Sequence, residues 1–191
     1  MGFSNDELLF LSSLFKAQTP PRLPKDQTLT VQSDIPANIA CLFQNANLTL
    51  LAEVGHYQLW FPLEFKVDSS GTFTPALSAP EVIDTKGNQR SWRWDNLNIK
   101  SEGYCIESIS STGIFLKPQG EHVAFNENQI MQFDLPNKKH ITMSIEPVRQ
   151  CKGGIAAKII DIHEGKEQLR AYLFSVHKRQ YANLYNAIPP S

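Results

Sequence analysis

Strict alternation of large apolar residues with other residues is the pattern that most constrains how this chain can fold. Between His56 and Val67 every second residue is large and apolar: Tyr57, Leu59, Phe61, Leu63, Phe65 and Val67. The segment from His140 to Val148 repeats the pattern, with one face made of Ile141, Met143 and Ile145. Side chains of a β-strand point alternately to its two faces, so a period of two predicts strands with one buried face. We therefore expect a mainly β chain.

Two segments carry a helical pattern instead. Ser4-Asn5-Asp6-Glu7 has the form of a capping box and precedes a leucine-rich run, which predicts a helix over about residues 5–17. Near the other end, four apolar residues recur at i, i+3, i+4 and i+7 and so share one helical face: Leu169, Tyr172, Leu173 and Val176. We expect a second helix over about residues 166–184, with a basic end at His177-Lys178-Arg179.

The chain of 191 residues is long enough for one large domain or two small ones. Turn-forming residues from Asp84 to Asn88 separate about five short strands from about five or six more. We predict three parts: an N-terminal helix and linker over residues 1–24, a small N-terminal β domain over 25–84, and an antiparallel β-barrel with a C-terminal helix over 85–191.

Bulk charge argues against a nucleic-acid coat or a membrane-surface protein. Lys plus Arg number 18 and Asp plus Glu number 19, which gives a net charge of −1. The segment from Lys138 to Ser191 is nevertheless basic and can attract an anion. No apolar stretch approaches the about 18 residues of a membrane span, and Met1–Glu7 lacks the basic start of a signal peptide. We expect no membrane insertion and a cytoplasmic location.

The sequence contains none of the common enzyme motifs: no GxSxG, HExxH, Walker or GxGxxG pattern. The five histidines show no metal-ligand spacing. The three cysteines lie far apart and beside apolar strands, which indicates buried free thiols in a reducing compartment: Cys41, Cys105 and Cys151. We expect neither catalysis nor a bound metal.

A hydroxyl-rich turn joins two apolar segments in the second half of the chain. It contains Ser108, Ser110, Ser111, Thr112 and Gly113. Clustered hydroxyls and backbone N–H groups can hold an anion or the polar edge of a base. The alternative is an ordinary hairpin turn, in which the hydroxyls bond their own backbone and Gly113 adopts a positive φ.

A basic and aromatic segment follows the break near residue 84 and reads Gln89-Arg90-Ser91-Trp92-Arg93-Trp94. Arginine makes bidentate contacts with phosphate and with the O6/N7 edge of guanine. Arg90 and Arg93 are therefore candidates to hold a nucleotide. The alternative is a surface strand in which an arginine stacks on Trp92 or Trp94.

Together, these two segments resemble the PilZ domain, the bacterial receptor for cyclic di-GMP. An arginine pair, a strand, a [D/N]xSxxG turn and an apolar strand follow one another in that family, and the turn here is Ser108-x-Ser110-x-x-Gly113. The Gly153-Gly154 step into a strand and the C-terminal helix add to the resemblance. The segment Pro80-Glu81-Val82-Ile83 resembles the junction of flagellar-brake (YcgR-like) proteins, in which an N-terminal β domain precedes PilZ.

The resemblance implies a cyclic di-GMP site made by Gln89, Arg90, Arg93, Ser108, Ser110 and Gly113. In the family the arginines contact phosphates and guanines, the Asp/Asn and Ser contact a guanine, and the Gly lets the ligand approach the backbone. This chain departs from the pattern in two places. The family's RxxxR is Arg90-x-x-Arg93 here, or Gln89-x-x-x-Arg93 in register, and the Asp/Asn position is Ser108, which is shorter and neutral.

The resemblance also implies a non-catalytic receptor that binds cyclic di-GMP and passes the signal to a protein partner in motility, adhesion or biofilm formation. Two other functions remain open. A PilZ-fold module that has lost its nucleotide would act through protein interaction alone, which Ser108 and the altered spacing favour. A single-stranded nucleic-acid binder would use Trp92 and Trp94 as a stacking platform, although the net charge argues against it.

Overall fold

The computed structural model describes residues 29–30, 48–67, 73–120, 128–151 and 153–186. The predicted helix over residues 5–17 and Cys41 lie outside them. The described part of the chain contains two six-stranded antiparallel sheets followed by one long and one short helix. The prediction of a mainly β chain with a C-terminal helix is therefore confirmed.

The first sheet contains six strands: β1 (Leu29–Thr30), β2 (Leu48–Val54), β3 (Tyr57–Val67), β4 (Phe73–Leu77), β5 (Glu81–Asp84) and β6 (Arg90–Ser91). Strand β3 lies in the middle, with β2 on one edge and with β4 and β5 on the other. Its two faces differ as the alternation predicts. Tyr57, Leu59 and Phe61 are buried, whereas Trp60 is 38% exposed.

An irregularity between β4 and β5 positions the start of β5. Leu63 pairs with Leu77 and Trp60 pairs with Glu81, so the register along β3 shifts across Ser78–Pro80. The N–H of Ser78 still donates a hydrogen bond of 3.1 Å to the backbone oxygen of Pro62. Because partners across a strand pair point to the same face, Glu81 lies beside the exposed ring of Trp60.

The second sheet contains β7 (Trp94–Ser101), β8 (Tyr104–Ile109), β9 (Gly113–Pro118), β10 (Gln129–Asp134), β11 (His140–Cys151) and β12 (Gly154–Glu164). Their order is β10-β11-β12-β9-β8-β7. The sheet curls until its edge strands meet, where Ser101 Oγ on β7 donates a hydrogen bond of 2.8 Å to the backbone oxygen of Gln132 on β10. The predicted antiparallel barrel is confirmed.

The barrel is followed by α1 (Lys166–Gln180) and the short α2 (Ala182–Asn186). The four residues of the predicted apolar face are all buried: Leu169, Tyr172, Leu173 and Val176. The single helix predicted to residue 184 is instead interrupted at Tyr181, whose φ of −115° and ψ of 38° leave the helical region. No helix among the described residues has the length and apolar character to cross a membrane.

Helix α1 packs against both sheets. Toward the second sheet, Tyr172 meets Trp94 with ring centroids 5.2 Å apart. Toward the first sheet, His177 meets Tyr57 with ring centroids 4.3 Å apart. The predicted basic residues His177, Lys178 and Arg179 do form the last turn of the helix, but His177 is fully buried. Contact with the first sheet explains why, since that sheet covers the side of the helix where His177 lies.

Strand β7 is the main strand that the sequence pattern does not indicate. It spans eight residues, but its pairing with β8 is irregular between Asp95 and Ile99. Asn98 there has a φ of 54°. A bulge moves the following side chains to the other face, which removes the alternation that marks a strand. Strand β6 pairs with β5, and the predicted division at residue 84 stays a prediction.

Candidate functional site

The arginine segment forms the connection between the two sheets. Strand β6 ends the first sheet and β7 begins the second, so Trp92 and Arg93 are the two residues between them. The N–H of Trp92 donates a hydrogen bond of 2.8 Å to the backbone oxygen of Val82, and its ring is buried. Because Trp92 is anchored in this way, the position from which the side chain of Arg93 extends is fixed.

The hydroxyl turn closes the hairpin between β8 and β9. The N–H of Ser110 donates a hydrogen bond of 2.8 Å to the backbone oxygen of Gly113. In return, the N–H of Gly113 donates a hydrogen bond of 3.1 Å to Ser110 Oγ. The hydroxyl of Ser110 therefore stabilises its own turn, as the hairpin interpretation predicts.

Gly113 leaves room for a neighbouring side chain, a role that turn chemistry does not suggest. It is not among the described residues with positive φ, so the expectation of a left-handed conformation is wrong. A Cβ atom at this position would instead lie 2.9 Å from Nη2 of Arg93 and 3.4 Å from the backbone oxygen of Ala157. The missing side chain makes room for the guanidinium group.

Arg93 reaches from the connection to the turn. Its Nη1 donates a hydrogen bond of 2.9 Å to Ser108 Oγ, and Ser108 is only 7% exposed. Burial is the main cause of a lowered pKa for Arg93, while Asp95 opposes the shift and the charge of Arg90 adds to it. A partly desolvated cation beside a second cation is a position where an anion would be stabilised.

Gln89 and Arg90 border this group on the side of the first sheet. Arg90 is exposed and acts on Arg93 through its charge. Gln89 Nε2 donates a hydrogen bond of 3.3 Å to Gln58 Oε1 on β3. Of the six predicted site residues, the structure brings four into contact: Arg93, Ser108, Ser110 and Gly113.

Glu81 is a residue of this region that the sequence analysis does not assign to the site. Its Oε1 accepts a hydrogen bond of 2.9 Å from Ser91 Oγ and another from Ser111 Oγ in the hydroxyl turn. These bonds tie the first sheet to the turn. In the sequence, Glu81 is marked only by its place in the junction-like segment before the arginines. That place does not predict which residues its side chain contacts.

A groove of about 380 Å³ lies beside Glu81 on the first sheet. It is lined by Thr49, Trp60, Pro62, Glu81, Ile83, Gln89 and Arg170. Its volume falls within the usual range for small-molecule sites. Because Glu81 also holds the hydroxyl turn and Gln89 adjoins Arg90, the groove borders the predicted site.

Neither tryptophan of the arginine segment offers an open ring. Trp92 is 7% exposed and packs against His177, with ring centroids 4.9 Å apart. Trp94 is half-buried against Tyr172. The stacking platform expected for a single-stranded nucleic-acid binder is therefore not formed by these residues. Trp60, on the groove, is the tryptophan with an accessible ring.

Cysteine burial follows the prediction at one position and departs from it at another. Cys105 is buried, but Cys151 is exposed at the end of β11. The expectation that Cys151 is buried is wrong, because the apolar alternation of β11 does not extend to its last residues.

Within the described ranges, no three His, Cys, Asp or Glu side chains come together as a metal site would require.

A row of hydroxyl, imidazole and carboxylate groups lies on β11 and β12. Ser144 Oγ is 2.6 Å from His163 Nε2, and His163 Nδ1 is 3.3 Å from Asp161 Oδ2. Hydrolases activate a serine with this order of groups, in a site that also binds the substrate and stabilises an oxyanion. His163 and Asp161 are exposed and none of the three residues lines the groove, so we assign the row no catalytic role.

Comparisons with known proteins add little to this geometry. No family model matches the sequence, and no curated protein matches it. Among solved structures, the chain is similar to the Bacillus subtilis inhibitor of motility (MotI/DgrA), with 14% identity over 65% of this chain and 68% of that chain, at a TM-score of 0.35. Similarity at this level says nothing of ligand or partner.

Proposed function

We propose that this chain is a cytoplasmic receptor that binds cyclic di-GMP and regulates a protein partner in motility, adhesion or biofilm formation. The observation that carries the proposal is the hydrogen bond from Arg93 to Ser108, with the room that Gly113 leaves for the guanidinium. It supports a site in which an arginine and the hydroxyl turn face the same ligand, in agreement with the resemblance to PilZ domains.

The electrostatics of the arginine segment favour a ligand with phosphates. Arg93 is partly desolvated and feels the repulsion of Arg90, and a phosphate between the two arginines would relieve this repulsion. The planar guanidinium can also donate two hydrogen bonds to the O6/N7 edge of guanine. Cyclic di-GMP carries both groups.

Signal transmission would use the bonds between the first sheet and the turn. Glu81 holds Ser111, and the connection between the sheets is only two residues long. A ligand that contacts both the arginine segment and the turn would bind differently to two states of the protein. In one state Glu81 holds the turn, and in the other that bond is broken. Such differential binding is what shifts a conformational equilibrium and presents a changed surface to a partner.

Removing either arginine should weaken cyclic di-GMP binding. We expect Arg93→Ala and Arg90→Ala each to cost about 1–3 kcal/mol of binding free energy, the range for a charge-assisted hydrogen bond or a bidentate base contact. Calorimetric titration of the full chain measures the affinity. Arg149→Ala, which changes an exposed arginine on β11, is the control and should bind as the wild type does. Unchanged affinity in both site variants would place the ligand elsewhere.

Restoring an acidic residue in the turn should tighten binding. Ser108→Asp places a carboxylate beside Nη1 of Arg93, which lies 2.9 Å from the present hydroxyl. A carboxylate can accept hydrogen bonds from both N1–H and N2–H₂ of guanine, and a charged acceptor is worth roughly tenfold more than a neutral one. Affinities of the variant and the wild type are compared side by side, with a thermal melt of each. Weaker binding by a well-folded variant would show that Ser108 does not face the base.

A second candidate function is a protein-interaction module without a nucleotide. One observation favours it: the turn hydroxyls already have protein partners, since Ser110 bonds its own turn and Ser111 donates to Glu81. A titration without measurable heat at high micromolar cyclic di-GMP, in a protein that melts cooperatively, would favour this function over the receptor.

A further inference from the structure

The groove on the first sheet has walls of opposite charge that do not pair with each other. Glu81 and Arg170 both line it, yet the ion pair that Arg170 makes is with Glu167, at 4.0 Å. Opposite charges that line one small groove without pairing with each other are suited to a ligand that has hydrogen-bond donors on one side and acceptors on the other.

Both charged groups have hydrogen-bonding capacity left. The two bonds that Glu81 accepts go to Oε1, and no described residue donates to its Oε2. Arg170 has a side chain that is 17% exposed. Its Nη2 donates a hydrogen bond of 2.9 Å to Ser78 Oγ, but its buried Nε has no partner among the described residues. A guanidinium has five N–H donors, and the two on Nη1 donate to no described residue.

Trp60 adds a flat apolar surface to the same groove. Trp60 is 38% exposed and stands next to Glu81 across the β3–β5 pair. Pro62 and Ile83 complete the apolar part of the lining. An exposed indole beside polar groups can stack on a planar heterocycle, an interaction worth roughly tenfold or more in affinity.

We propose that this groove binds a guanine base. Guanine presents N1–H and N2–H₂ as donors, which fit the open Oε2 of the Glu81 carboxylate, and O6 and N7 as acceptors, which fit the guanidinium of Arg170. Its ring stacks on Trp60. Adenine is disfavoured, because it places an acceptor where guanine has N1–H and would set that acceptor against a carboxylate.

This guanine site rests on the proposed function, because the base is taken to be one of the two guanines of cyclic di-GMP. The other guanine and the phosphates would lie at Arg93 and the turn. Glu81 connects the two halves, because it lines the groove and holds Ser111. Glu81 of the first sheet would then supply a charged acceptor for guanine, which the neutral Ser108 in the turn cannot supply.

The test uses the ¹⁵N-labelled full chain and two probes, GMP and AMP. The indole N–H resonance of Trp60 is identified by its loss in Trp60→Phe. We expect GMP to shift this resonance with at least tenfold higher affinity than AMP does. Glu81→Gln keeps the shape of the side chain and should weaken GMP about tenfold while leaving AMP unchanged. Glu146→Gln, an exposed change on β11, is the control and should bind GMP as the wild type does.

A parallel titration with cyclic di-GMP separates the two claims. If cyclic di-GMP binds and Arg93→Ala weakens it, but neither it nor GMP shifts the Trp60 resonance, the groove inference is overturned and the proposed function stands. If cyclic di-GMP does not bind but GMP shifts Trp60 in preference to AMP, the guanine site stands and the proposed function fails. Equal affinities for GMP and AMP, or a Glu81→Gln variant that keeps the preference, overturn the inference.

Discussion

Replacing Gly154 with alanine is expected to lower the free energy of unfolding by about 3 kcal/mol or more, the upper end for overpacking a filled interior. A Cβ atom on Gly154 would lie 2.2 Å from the backbone oxygen of Leu116 on β9. That oxygen belongs to the paired strand, so it cannot rotate away as a flexible side chain can. Relief would require β9 and β12 to separate, and these strands form the middle of the barrel.

The preceding residue provides a matched control. A Cβ atom on Gly153 would meet nothing within 4 Å, so Gly153→Ala is expected to change the unfolding free energy by less than about 0.5 kcal/mol. Urea unfolding followed by circular dichroism measures both variants. Equal stability of Gly153→Ala and Gly154→Ala would contradict the close approach of the two strands.

Acidification is expected to destabilise the protein by about 3 kcal/mol through His177 alone. Its ring is fully buried, and its Nδ1 lies 2.7 Å from the hydroxyl of Tyr185. Burial is the main reason that the pKa of His177 falls from 6.5 to about 4, with His56 adding to the shift and Asp84 opposing it. The folded protein therefore holds this imidazole in its neutral form.

The sign of the effect follows from proton binding. Between the unfolded pKa of 6.5 and the folded pKa of about 4, the unfolded chain binds a proton at His177 that the folded chain does not. The contribution to stability is therefore complete above the unfolded pKa and is lost as the pH falls toward the folded one. The interval between the two values corresponds to about 3 kcal/mol.

Urea unfolding of the wild type and of His177→Phe, at several pH values between about 7 and 4, tests this expectation. The readout is the change in unfolding free energy with pH and not the stability at one pH, because the substitution also removes the contact with Tyr185. The wild type should lose about 3 kcal/mol more than the variant over this range. Parallel curves for the two proteins would mean that His177 is not held neutral.

The parts of the fold that could be predicted from the sequence are those whose pattern is local. The alternation around Leu59 marks β3, and the spacing of Leu169 and Leu173 marks α1, because each records which side of one element is apolar. Strand β7 was not predictable, because the irregularity between Asp95 and Ile99 interrupts its period of two.

The residues of the candidate site likewise fall into those that the sequence predicts and those that it does not. Arg93 and Ser108 could be chosen from residue type and motif, and the structure brings them into contact. Glu81 could not be chosen, because it meets Ser111 across thirty residues of sequence and only when the first sheet packs against the turn. Gly113 was predicted as a site residue from the motif and, in the hairpin alternative, as a residue of positive φ. Only the second expectation is wrong, and the guanidinium of Arg93 lies where its side chain would be.

The sequence by itself determined that the chain is mainly β and that its C-terminal helix buries one face. It also predicts a ligand site at the arginine segment and the hydroxyl turn, which stays a prediction. Only the tertiary structure decided that α1 contacts both sheets, that His177 is buried, and that Trp60, Glu81 and Arg170 line one groove. The physical reason is the distance along the chain between the residues that interact. The periodicity of a strand or helix is written in neighbouring residues, whereas the choice of which faces meet depends on packing between elements far apart in the chain.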